Sequence, residues 1–217
     1  MIGVPIAAVC LFVQGQDTPA KDARVEAKGM PPRAAPADYQ AHAQAGTLTI
    51  AADFDGHSIP TLQGTFSSED YVTVETGVFG PPGARTKLSP NDFGLRINGK
   101  KTPSPSQPYG MVAATVKDPE WAPPEPAGGK SKSGPLSTGG AGGQGGDSSP
   151  TPTPKPPFEL TRTWALQVQK VVLPEGDRPL PQAGLLFFEF HGKTARIRSV
   201  ELVYTGPAGK ATLALQP

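Results

Sequence analysis

An all-β fold is what the sequence predicts: an antiparallel sandwich with one or two short helices and a long Gly/Pro insert. Three observations carry this. Short stretches of alternating apolar and polar residues recur along the chain, separated by Gly/Pro turns. Glycine (26) and proline (27) are together roughly twice their usual share of 217 residues. Aromatic residues are only 7% and charged residues 18%, which excludes a coiled coil and a mostly helical enzyme. One block, 122–157, is half glycine or proline, so the core must be assembled from the sequence on either side of it.

Ile2 to Val13 is an uncharged apolar run. Its twelve residues fit the ~7–15 of a signal-peptide core and fall short of the ~17–25 needed to cross a bilayer. Val13 and Gly15 suit cleavage before Gln16, so 1–15 is expected to be a signal peptide and the mature chain secreted or periplasmic, without a transmembrane helix. The charged start typical of such signals is missing: only Met1 precedes the run. A lipoprotein acylated at Cys10 is disfavoured by Val9 before the cysteine and by Leu11-Phe12-Val13 after it. An uncleaved anchor or a core strand is the remaining alternative. Residues 16–45 are expected to form an unstructured tail, because 16–35 has few large apolar groups to bury. A short helix is expected from Pro36 to Gln44, with Pro36 at its first position, Asp38 in its first turn and Gly46 ending it.

One domain, 46–217, should follow, interrupted by the insert. Leu48, Ile50, Ala52 and Phe54 alternate, as do Val72, Val74 and Val78 within Tyr71–Phe79, which Gly80-Pro81-Pro82-Gly83 closes as a turn. Phe93, Leu95 and Ile97 make a third strand, and Asn98-Gly99 is a hairpin signal. Tyr109 to Val116 reads as a further strand. The insert 122–157 is Gly/Ser-rich and then proline-rich, the composition of an unstructured segment. In 160–173, Leu160, Trp164, Val168 and Val172 are four apart, which is helical, while Trp164, Leu166 and Val168 alternate as in a strand; a helix stopped by Pro174 and Gly176 is favoured and a strand is the alternative. Gly184 to Phe190 is apolar on both faces, so a central strand is expected. Val200, Leu202 and Tyr204, then Ala211, Leu213 and Leu215, alternate on two closing strands.

Lys+Arg (20) and Asp+Glu (19) nearly cancel, leaving +1, and a dedicated nucleic-acid binder needs a larger basic excess. Lys100 with Lys101, and Lys193 with Arg196 and Arg198, read as solvated local clusters. The single cysteine excludes an intramolecular disulfide and a cysteine-based zinc site. The chain contains no GxSxG, HExxH or Walker motif. Gly206-Pro207-Ala208-Gly209-Lys210 echoes a phosphate loop, but it lies between two strands with no helix behind it. The expectation is therefore a protein that is not an enzyme and has no cofactor.

Asp53-Phe54-Asp55-Gly56-His57 is the one dense polar constellation. Carboxylates and an imidazole at a strand end can hold a hard cation, with Glu69 and Asp70 nearby. An EF-type loop would need another ligand where Ala51 stands, and alternation places Asp53 and Asp55 on the solvent face. A polar strand end is favoured; a calcium or other metal site at Asp53, Asp55 and His57 is the alternative. His42 is expected on the surface of the short helix and His191 in a hairpin turn. Trp121, flanked by prolines, could stack on a glycan or peptide partner or pin the mouth of the insert to the core. Trp164 should anchor the helix.

The order Val72-x-Val74, Leu88-Ser89-Pro90-Asn91-Asp92-Phe93-x-Leu95, Asn98-Gly99-Lys100, Pro174-Glu175-Gly176, Gly184-Leu185-Leu186-Phe187-Phe188-Glu189 and Val200-Glu201-Leu202-Val203-Tyr204 resembles immunoglobulin-like domains of unknown function in bacterial exported proteins and lipoproteins. The likeness covers roughly 70–98 and 174–205. It implies an immunoglobulin-like β-sandwich outside the cytoplasm, with the insert as a loop inside one domain, and it transfers no catalytic residue. The expected role is a non-catalytic binding or structural module of the bacterial envelope, with an envelope protein or polysaccharide as partner.

Overall fold

The computed structural model describes residues 27–123 and 155–217. The signal-peptide expectation and most of the insert lie outside these residues. Among the described residues, no helix is long and apolar enough to cross a membrane.

The fold is all-β and antiparallel, with a few short helices. Its strands are β1 (Ala41–Ala45), β2 (Leu48–Gly56), β3 (Ser58–Thr61), β4 (Gly64–Ser67), β5 (Tyr71–Phe79), β6 (Arg85–Leu88), β7 (Phe93–Ile97) and β8 (Ser104–Pro105). Two helices follow, α1 (Tyr109–Val112) and α2 (Phe158–Val171). The chain closes with β9 (Gly176–Pro179), β10 (Gln182–Glu189), β11 (Val200–Gly206) and β12 (Gly209–Leu215). One sheet has the order β1-β2-β5-β10 and a second the order β12-β11-β7-β8; β3-β4 and β6-β9 form separate ribbons. The alternating residues of both sheets meet in one core: Leu48, Ile50, Ala52, Val72, Val74 and Val78 from the first, and Phe93, Leu95, Val200, Leu202 and Leu213 from the second.

A third layer covers the outer face of the first sheet. Trp164, Val168 and Val171 are buried at i, i+4 and i+7, one stripe of α2, and they pack on Leu185 and Phe187 of β10. The helix starts after Pro157, with Glu159 in its first turn and Lys170 in its last, charges that suit the helix dipole. It ends where Val172 turns extended, before Pro174.

Four sequence expectations change here. Pro36 to Gln44 is not a helix: one 3-10 turn spans Pro36–Asp38, and β1 begins at Ala41, so His42 lies on a strand. A nine-residue isolated helix is marginal in water, whereas the same residues gain a five-pair ladder against β2. The expected tail is accordingly in place well before residue 46. Tyr109 to Val116 is not a strand but α1 followed by a 3-10 turn, Ala113–Thr115. Val112 and Val116, four apart, are both buried under α2, and the Tyr109 hydroxyl donates to the Ala165 carbonyl.

Gly184 to Phe190 is buried on both faces but is not central: β10 is the last strand of its sheet. Three separate segments satisfy its outer edge. Met30 N–H donates to Ala183 O (2.8 Å), Leu173 N–H to Leu185 O (3.1 Å) and Gln107 N–H to Phe187 O (2.7 Å). Between them the chain leaving α2 dives into the core, where Leu173 is fully buried. Finally, the outer face of β2 is not solvent. Residues 30–39 lie over it, and Asp53 and Asp55 are only partly exposed.

Candidate functional site

Asp53 sits opposite Glu75 in the β2-β5 ladder, so two carboxylates share the outer face. Arg33, twenty residues upstream, places its guanidinium against the Asp53 carboxylate and 3.2 Å from Glu75. The Gln40 N–H takes the other Asp53 oxygen. The same guanidinium lies over the Tyr39 ring, 4.4 Å from its centre. Asp53 is thus consumed by structure.

Asp55 is the extra residue of a β-bulge, where the register slips between Phe54 and Gly56 and Gly56 takes φ 61°. Its Oδ2 is buried without a hydrogen-bond partner among the described residues. Burial first, and then the neighbouring Glu75 and Asp53 charges, push the Asp55 carboxyl up to about 7; a hydrogen bond from the Glu75 backbone only partly opposes this.

His57 turns to different partners. Its Nδ1 is 2.8 Å from Tyr71 O and its Nε2 2.6 Å from Gly192 O. The expected trio therefore does not converge on one point. Among the described residues no three His, Cys, Asp or Glu side chains are arranged to hold a metal ion.

What His57 holds is a loop, residues 190–199, which carries the chain from β10 in one sheet to β11 in the other. The ends of β2, β5, β7, β10 and β11 meet at this end of the molecule. Asn98 grips the loop from the opposite side. With φ 54°, followed by Gly99 at φ 69°, it forms the left-handed turn that the Asn-Gly pair predicts. Its amide donates to Arg196 O (3.0 Å) and accepts from the Arg198 N–H (2.6 Å). His191 projects outward between two carboxylates, Asp70 (3.2 Å) and Glu189 (2.8 Å). Hydrogen bonds to Glu189 and then Asp70 raise its pKa.

Two open hollows flank this loop. One, of about 610 Å³, includes Lys100, Gln107, Phe190 and Arg196 in its walls. The other, of about 510 Å³, includes His57, Glu69 and Lys193. His191, Gly192 and Arg196 border both. The two basic clusters that the sequence presents as separate are thereby brought to one end. Lys100, Lys193 and Arg196 are exposed, and none forms an ion pair within 4 Å among the described residues. The acidic groups here are already engaged: Glu69 pairs with Lys117 (2.9 Å), and Asp70 and Glu189 flank His191.

Trp121 lies elsewhere. Half-buried, it meets Trp164 edge-on with ring centres 6.5 Å apart, at the point where the chain departs toward the insert. Trp164 in turn packs against Phe66. A smaller cavity of about 290 Å³ lies beside the β10 edge, lined by Tyr109, Val172, Leu185 and Phe187. Burial pushes the Tyr109 hydroxyl up to about 12.

Sequence reasoning missed Arg33, Glu75 and the Asn98 clasp. Glu75 was detectable as a lone charge inside an apolar strand, and Asn98 through its glycine. Nothing local marks Arg33. Replacing Asn98 by alanine removes three side-chain hydrogen bonds and puts a side chain with no local polar partner at positive φ. The expected loss is about 2 kcal/mol in urea unfolding, with faster amide exchange at Arg198; exchange unchanged at Arg198 would mean that the loop holds without the clasp. No family model matches the chain, and neither does any curated protein or solved structure at a significant level.

Proposed function

We propose that this chain is an exported, non-catalytic recognition or structural module of the bacterial envelope, built on an immunoglobulin-like sandwich and working through its loop end. The observation that carries the reading is the loop 190–199, gripped by His57 and Asn98 between two open polar hollows. Loops held on a rigid sheet scaffold are a common place for binding. A loop fixed beforehand also spares the entropy of ordering it on contact. The apolar run Ile2–Val13 supports export.

The immunoglobulin-like part of the proposal rests on architecture: two antiparallel sheets sharing one core, with the last two strands forming a hairpin. β2 and β5 are neighbours in one sheet here, whereas consecutive long strands at that point change sheets in the immunoglobulin constant type.

Intact-mass analysis of the native protein from separated cell fractions tests the export reading. The expected species begins at Gln16 and is found outside the cytoplasm. A cytosolic species beginning at Met1 would overturn it.

A further inference from the structure

We propose that the paired hollows at the loop end bind an anionic polysaccharide, with Lys100, Lys193 and Arg196 meeting its carboxylate or phosphate groups. The proposal deepens the envelope-module reading and takes its choice of polymer from it.

The first argument is the distribution of charge. Away from the loop end Arg33, Arg85 and Arg96 have carboxylate partners within 4 Å. At the loop end Glu69 pairs with Lys117 and the single His191 lies between Asp70 and Glu189, while Lys100, Lys193 and Arg196 have no ion-pair partner among the described residues. With Lys100, Lys117, Lys193 and Arg196 set against Glu69, Asp70 and Glu189, this end keeps a net positive charge of one, or two when His191 is protonated, on a chain whose overall charge is +1. Such a local patch favours an acidic ligand without the broad basic field that a nucleic-acid binder uses.

The second argument is shape. The two hollows are open and adjacent, with His191, Gly192 and Arg196 bordering both. Two adjacent hollows, each with a basic side chain of its own, suit a polymer with repeating acidic units better than one small anion. Gln107 and Ser104 offer neutral hydrogen-bonding groups for hydroxyls, and the half-buried Phe190 ring forms part of a wall. His57 lies against that ring at 6.0 Å, so the ring is held in place as the loop is.

The test is affinity electrophoresis of the purified chain through gels containing polygalacturonate, with dextran as the uncharged control. Polygalacturonate is expected to retard the protein and dextran to leave it unmoved. Replacing Lys100, Lys193 and Arg196 together by alanine should weaken the retardation about tenfold or more, and about 0.5 M salt should abolish it in the wild type. The three side chains are exposed, so the variant should keep its far-UV circular dichroism spectrum. Equal retardation by dextran, wild-type behaviour of the folded triple variant, or tighter binding to a short DNA duplex would each overturn the proposal. A cytosolic native protein that still binds polygalacturonate would remove the export reading and leave the site; an exported protein that ignores the polymer would do the reverse.

Discussion

Alanine at Gly184 will destabilise the fold by about 3 kcal/mol or more, although it adds only one methyl group. Gly184 lies on the core-facing side of β10, opposite Thr76 of β5. The chain leaving α2 crosses it so closely that a Cβ would stand 2.4 Å from the Leu173 Cα and 2.5 Å from its nitrogen. Both obstacles are backbone atoms, so no rotamer change relieves the clash. Leu173 cannot withdraw freely, because its side chain is buried in the main core and its N–H is bonded to Leu185 O. Equilibrium urea unfolding followed by tryptophan fluorescence will read the loss through Trp164, which sits on the helix that Leu173 anchors. A Gly184→Ala protein as stable as the wild type would show that the crossing has room to spare.

Asparagine at Asp55 will stabilise the protein at alkaline pH and not at acid pH. The folded carboxyl titrates near 7, against about 3.9 in an unfolded chain. Below pH ~4 both states hold the proton and the residue is neutral in its effect. Between about pH 4 and 7 the unfolded state releases its proton first, so stability falls as pH rises; above 7 the loss is complete. The full difference is on the order of 4 kcal/mol. Asparagine keeps an oxygen for the Glu75 backbone hydrogen bond and carries no charge beside Glu75 and Asp53. The expected gain is about 2–4 kcal/mol at pH 8.5, vanishing near pH ~3, in urea denaturation at both values. An equal effect at the two pH values would mean that the charge of Asp55 is not what burdens the fold.

Much of the fold is legible in the sequence where periodicity and turn chemistry agree. β2, β5, β7, β11 and β12 alternate between glycine- or proline-marked turns, and α2 shows its four-residue spacing. The misses have physical causes. Ala41–Ala45 contains no branched or aromatic residue, so only its partner β2 makes it a strand. Two apolar faces on β10 report burial, not pairing: a helix covers one face, and short segments take the place of a neighbouring strand. Around the site, the Asp53–His57 segment stood out for its density of polar groups, but its partners did not. Arg33 comes from an Ala/Pro-rich stretch, and the loop-end cations are brought together by a chain that changes sheets.

The way β10 is bordered bears on how the molecule assembles. Its outer carbonyls wait for Met30, Gln107 and Leu173, groups scattered across most of the described chain. Until those segments arrive, β10 offers an apolar strand with open hydrogen-bonding groups, the kind of edge on which a second chain can nucleate. Closure at long sequence separation is also slow, because the loop entropy is spent before the contacts form. The native protein is thus guarded on this side only once folding is nearly complete. Refolding at high concentration should lose yield to association at this step, while the finished fold resists it.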